Sequence, residues 1–158
     1  MKKLLVLALI TLFSVNCYSQ TSFENGYFIT NAGERVNCLI KNSDWKNNPT
    51  EFKYKLSENA KVNTGIIKNV KEFGVSGYSK YKRFTVNIDR SSEIVSDMSF
   101  HRNADFKKET IFLKVLLEGD ASLYYYEGEN LSRFFFNVGD KKVEQLVFKS
   151  YLTPDDKV

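Results

Sequence analysis

Proline is nearly missing from this chain, with two in 158 residues, so few positions interrupt a backbone hydrogen-bond ladder. Histidine is confined to His101, tryptophan to Trp45 and cysteine to Cys17 and Cys38. Each scarcity excludes a class of chemistry. A zinc centre needs several His, Cys or carboxylate ligands converging on one point, and these few do not supply them. No apolar run reaches the roughly 20 residues that a helical membrane span needs. The chain has no G-x-x-x-x-G-K-[ST] loop to cradle phosphates. Gly74-Val75-Ser76-Gly77 lacks the last spacing of a serine-hydrolase elbow. The sequence therefore predicts no catalytic residue, no metal site and no cofactor.

What is present begins at the first residue. Lys2 and Lys3 precede an apolar run from Leu4 to Ile10, extended through Leu12, Phe13 and Val15, and small or polar residues follow from Asn16 to Gln20. A positive start, a short hydrophobic middle and a small-residue exit make residues 1–19 a secretory leader. Cleavage after Ser19 starts a single mature domain at Gln20 and removes Cys17, leaving Cys38 without a disulfide partner. Ser14-Val15-Asn16-Cys17 also supports a second reading, in which Cys17 is the lipid-modified first residue of a lipoprotein. Loss of Lys2 and Lys3 lowers the formal charge from +4 to +2, too little for a nucleic-acid footprint.

Beyond the leader the dominant period is two, which predicts an all-β domain of antiparallel strands in a small sandwich or open barrel. Gly26 to Thr30 and Arg35 to Lys41 flank a hairpin loop, and Val36, Cys38 and Ile40 share one face, which makes Cys38 a buried hydrophobe. Residues 43–50 form a loop carrying Trp45, read as a lid on a core edge. Residues 57–65 read as a turn, and 66–73 fit either a helical turn or a strand. Tyr78 to Phe84 interleaves bases with aromatics, which suits either a polyanion or a solvated strand face. Residues 89–110 are weakly patterned and read either as a stretch holding one short helix, capped by Ser91 or Ser92 with Glu93 in its first turn, or as a mobile, functional loop. That stretch is also the one place where a boundary between two halves would fall.

The last third reads as a four-stranded meander. Its turns at Gly119-Asp120, Gly128-Glu129 and Asp140-Lys141 predict Val115 opposite Tyr124, Leu123 opposite Phe134 and Phe135 opposite Leu146. One face then carries Leu113, Val115, Leu117, Tyr124, Tyr126, Leu131, Phe135, Leu146 and Phe148, with Arg133 among them. The other carries Phe112, Leu116, Leu123, Tyr125, Phe134, Phe136 and Val147. An antiparallel sheet with one wet face alternates cleanly, so two apolar faces require two covers. Tyr124, Tyr125, Tyr126, Arg133, Phe134, Phe135, Phe136 and Trp45 are the candidate interaction surface.

Three segments together, Gly26-Tyr27-Phe28-Ile29 before Gly33-Glu34, Asp44-Trp45-Lys46-Asn47-Asn48-Pro49-Thr50-Glu51-Phe52-Lys53-Tyr54, and Thr85-Val86-Asn87-Ile88-Asp89-Arg90-Ser91-Ser92, resemble a group of uncharacterised exported proteins of flavobacteria and their Bacteroidota relatives. The resemblance runs from about Phe23 to Tyr151 and is most specific around Trp45. Longer members of that group continue into an outer-membrane β-barrel, so the resemblance implies a cell-envelope setting, in the periplasm or at the outer membrane. The reading is an exported, non-enzymatic binding domain whose partner is an envelope protein, a glycan or an apolar ligand, with no nucleic acid and no transmembrane span in the mature chain. A carrier or sensor of an apolar ligand is the alternative, and a glycan hydrolase using scattered carboxylates comes third.

Overall fold

The computed structural model describes residues 22–128 and 130–153. The leader, Cys17 and the mature start at Gln20 lie outside the described residues. Ten strands follow one another: β1 (Phe23–Thr30), β2 (Arg35–Lys41), β3 (Glu51–Lys55), β4 (Asn63–Ile66), β5 (Val70–Val75), β6 (Ser79–Asp89), β7 (Phe106–Leu117), β8 (Ala121–Gly128), β9 (Leu131–Val138) and β10 (Glu144–Leu146). They form one antiparallel sheet in the order β10-β9-β8-β7-β6-β5-β1-β2-β3-β4. The class is all-β, as the alternation predicts. The ambiguous stretch 66–73 is the end of β4, a turn closed by Asn69 N–H to Ile66 O at 3.0 Å, and β5. Between β6 and β7 the helix shrinks to one 3-10 turn, Val95–Asp97, and neither serine caps it. The N-cap is Ile94 without a side-chain cap bond, Ser92 Oγ accepts the Ile94 N–H at 3.1 Å ahead of the turn, and the Ser91 hydroxyl donates to Asp89.

Paired residues share a face, so the register carries one row across the sheet: Val36, Phe28, Phe73, Tyr81, Lys114, Tyr125, Phe134 and Leu146. In the first half of the sheet this row points into a core with Cys38, Ile40, Phe52 and Phe112. Phe52 of β3 stacks on Phe73 of β5 at 4.2 Å, although β2 and β1 lie between their strands, so this half curls tightly toward that face. Glycine permits the curl at two points. A side chain at Gly26 would strike the Gly74 carbonyl, and one at Gly65 would strike the Phe52 ring. Cys38 lies buried as its strand face predicts, and burial pushes its thiol up to about 11, so it stays protonated and a poor nucleophile.

In the second half the core lies on the opposite face. Val86, Ile88, Leu113, Tyr124 and Phe135 cluster there, with Phe84 edge-on to Tyr124 at 4.9 Å. Strands β6 and β7 are shared by both cores: odd positions of β6 such as Tyr81 serve the first, even positions such as Val86 and Ile88 the second. The sheet therefore curls one way and then the other. At the crossover β7 and β8 fork, because their pairing starts only at Lys114 opposite Tyr125. Asn48 wedges the fork: its Nδ2 donates to the carbonyls of Phe112 at 2.5 Å and Tyr125 at 3.4 Å, and its Oδ1 accepts the Glu127 N–H at 3.1 Å. Arg90 bridges the mouth, with two bonds to Glu109 on β7 at 2.9 and 2.6 Å and one to the Tyr126 hydroxyl on β8 at 3.1 Å.

The second curl is closed by a buried polar latch. Gln145 of β10 turns back to β6, where its Oε1 accepts the Asp89 N–H at 2.8 Å. Arg133, 4 % exposed, donates to the Asp89 carbonyl at 3.0 Å and the Ser91 carbonyl at 2.9 Å, and pairs with Glu93. Asp89 Oδ1 accepts the Ser91 hydroxyl at 2.6 Å and the N–H groups of Ser91 and Asp105 at 3.0 and 2.8 Å. Burial alone would raise the Asp89 pKa. The Ser91 and Asp105 donors and the Arg133 charge outweigh it and hold the carboxyl below its ordinary 3.8.

Register separates the meander from its sequence reading at three places. Val115 does oppose Tyr124, but Leu123 opposes Phe136, two residues from the expected Phe134, because the turn centres one residue later than Gly128-Glu129. The faces survive that shift. Phe135 opposes Gln145 rather than Leu146, since Gly139 adopts φ +56° in a loop with an odd number of residues. Leu146 thereby moves outward and Gln145 inward. Leu117 also changes face, through a bulge after Val115.

Candidate functional site

The inversion of the core decides which candidate residues can meet a partner. Tyr124 and Phe135 are 4 % and 0 % exposed and belong to the second core. Arg133 is spent in the latch, and Tyr126 holds Arg90 from the half-buried side of the fork. The remaining four lie on the other side. Tyr125, Phe134 and Phe136 project from the outer face of the second curl, and Trp45 lies over the same face farther along.

Two adjacent rows build that outer face: Leu117, Leu123 and Phe136, then Tyr125, Phe134 and Leu146. Phe134 is 44 % exposed, Leu146 48 % and Leu117 61 %. The Tyr125 and Phe134 rings meet at 4.9 Å with a 41° tilt, and the Tyr125 hydroxyl and Ser132 Oγ lie 3.1 Å apart. These are side chains with high β-propensity and cross-strand contact, so they order the surface without being covered.

Lys114 carries the outer row on to Tyr81 and Trp45. Trp45 packs edge-on against Phe73 and Tyr81, both at 5.7 Å, which fits a lid on a core edge. Beside it is an open pocket of about 260 Å³ lined by Asp44, Trp45, Tyr78, Ser79, Tyr81 and Lys114. Asp44 sits at φ +43°, the left-handed region that non-glycine residues seldom adopt, and its N–H is held by Asn42 Oδ1 at 3.2 Å. Burial, reinforced by the charges of Asp44 and Glu127, pushes the Tyr81 hydroxyl up to about 12, so it remains a donor at neutral pH.

Sequence reasoning reached Trp45 but not Tyr81, Asp44 or Lys114. The signal for Tyr81 lay in Tyr78 to Phe84, where the structure divides the residues by face. Lys80 and Lys82 pair with Glu72 and Glu118, and Arg83 donates to the carbonyls of Ile67 and Lys68 at 2.8 and 3.1 Å. Tyr81 packs on Trp45, and Tyr78 and Ser79 line the pocket beside it. His101 is exposed in the loop before β7. Among the described residues no helix is long and apolar enough to cross a membrane.

The outer face and the Trp45 pocket belong to an antiparallel β-sheet protein whose two cores, among the described residues, are packed with its own side chains. Compared with known proteins, the chain matches no family model, no curated protein and no solved structure.

Proposed function

We propose that the protein is an exported, non-enzymatic binding module of the bacterial cell envelope, working in the periplasm or at the outer membrane, and that the outer face of β7–β10 is its docking surface. The observation that carries this reading is the set of neighbouring apolar side chains Leu117, Leu123, Tyr125, Phe134, Phe136 and Leu146, with Lys114 and Glu144 at the ends of their rows, on a sheet whose other face is already filled by its own chain. Contiguous apolar surface left open on a folded domain marks an interaction site. The leader-like first 19 residues and the resemblance to exported envelope proteins support the compartment. The interiors of both curls hold the protein's own rings, Phe52, Phe73 and Tyr81 in one and Tyr124 and Phe135 in the other, which favours the surface over a carrier's internal chamber.

Co-sedimentation of the purified protein with washed Gram-negative envelope particles tests the proposal. The protein should pellet with the particles, and Tyr125→Ala and Phe134→Ala should move it to the supernatant while their melting temperatures stay close to that of the unaltered protein. Val62→Ala, at an exposed position just before β4 at the far edge of the sheet, should pellet normally. Equal pelleting of all three variants would contradict the assignment.

A further inference from the structure

The pocket between Trp45 and Tyr81 has a chemistry of its own. Tyr81 is 2 % exposed and lines the pocket, yet its hydroxyl has no hydrogen-bond partner among the described residues. Other tyrosine hydroxyls in the sheet are engaged: Tyr27 with Glu72 at 2.6 Å, Tyr124 with Asn137 at 3.0 Å, Tyr126 with Arg90 at 3.1 Å. Among the described residues the buried side-chain polar atoms left without a partner are Asp89 Oδ2 and Gln145 Nε2, so the Tyr81 hydroxyl reaches solvent at the pocket, where a ligand hydroxyl can replace water. Asp44 and Lys114 also face the pocket with no ion pair among the described residues. Trp45 and the largely exposed Tyr78 supply aromatic walls.

We infer that this pocket binds one pyranose ring of a glycan. The inference rests on the proposed binding role and names the ligand class for the Trp45 end of the docking surface. A pyranose presents flat C–H faces and a rim of hydroxyls, which suits an aromatic wall beside a carboxylate acceptor and ammonium and phenol donors. The rival ligands each leave something unmatched. A free anion meets the Asp44 carboxylate, a free cation meets the Lys114 ammonium, and an acyl chain would strip water from Asp44, Lys114 and Tyr81 without replacing its hydrogen bonds. A neutral polyol satisfies all three. The space, about 260 Å³, accommodates a single ring. Lys114 pairs with Tyr125 on β8, so the next sugars of a chain would run onto Tyr125 and Phe134.

Trp45 is the chain's one tryptophan, so intrinsic fluorescence reports this pocket directly. The protein is titrated with cellotriose, chitotriose, maltotriose and xylotriose in turn. At least one should shift and saturate the Trp45 emission in the millimolar range or below. Tyr81→Phe keeps the ring and Asp44→Asn keeps the shape, and each should weaken that affinity roughly five- to thirtyfold, the effect of one hydrogen bond, with the melting temperature little changed. Absence of a saturable response to all four sugars, or unaltered affinity in both variants, would overturn the inference. Envelope co-sedimentation that still depends on Tyr125 and Phe134 in that event would leave the binding role standing, so the two failures are distinguishable.

Discussion

Phe135→Ala should destabilise the protein by about 3 to 5 kcal/mol, while Phe134→Ala, one residue away, should cost about 1 kcal/mol or less. Phe135 is fully buried against Leu113, Tyr124 and the β6 residues Val86 and Ile88, so truncation removes a whole ring from a packed core and leaves a cavity. Phe134 points the other way, into the open row, where its main contact is the tilted Tyr125 ring at 4.9 Å. Thermal or urea unfolding of the two variants decides the matter, with a gap in melting temperature of roughly 10 °C expected. Equal, large losses would mean that both faces of the meander are core, and the docking surface would have to move to the segment between Asp89 and Phe106.

Arg133→Leu should be nearly as damaging, by about 3 to 5 kcal/mol, although it places a hydrophobic residue in a buried position. The guanidinium is the donor for the carbonyls of Asp89 and Ser91 and the counter-charge for a carboxylate that is 0 % exposed. Removing it takes the donor from both carbonyls and the counter-charge from the carboxylate, which keeps only the Ser91 and Asp105 donors on Oδ1 while Oδ2 already lacks a hydrogen bond. The pH dependence carries a second signature. Asp89 has its folded pKa depressed below 3.8, so its contribution is present above that ordinary value and is lost as pH falls through the folded pKa. Without Arg133 the burial effect gains weight and the Asp89 pKa rises, so the acid limb of the unfolding curve should move to higher pH. A variant with an unmoved acid limb and native stability would show that the latch does not hold β10 and the 90–105 segment to β6.

Much of this architecture was legible in the sequence, and the part that was not has a specific cause. The alternation in Arg35 to Lys41 placed Cys38 with Val36 and Ile40, because a half-buried strand fixes its faces locally, whereas Val115 meets Tyr124 as the Gly119-Asp120 turn predicts only because a bulge after Val115 offsets the Leu117–Leu123 pairing. The β9–β10 loop did not yield in the same way: Asp140-Lys141 looks like a two-residue turn, but Gly139 takes the positive φ and shifts Gln145 inward, where Asp89 binds it. The two apolar faces of the meander were visible, and the chain itself covers the one that carries Tyr124 and Phe135. Which face the chain covers depends on where β10 and Asn48 dock, and those are contacts between residues about 56 and 64 to 79 positions apart. The parity switch in β6, from Tyr81 at an odd position to Phe84, Val86 and Ile88 at even ones, was the local trace of the inversion. It read as a solvated strand face because the bases between them hide it.

The central claim is that one sheet buries Tyr124 and Phe135 in its own core and leaves Tyr125, Phe134 and Phe136 outside for a partner. Hydroxyl-radical footprinting with residue-level mass spectrometry, with and without Gram-negative envelope particles, tests both halves together. Tyr125, Phe134 and Phe136 should be oxidised in the free protein and protected on the particles, while Tyr124 and Phe135 stay unmodified in both. Oxidation of Phe135 to the same extent as Phe134, or an outer row equally reactive in the presence of the particles, would contradict the account.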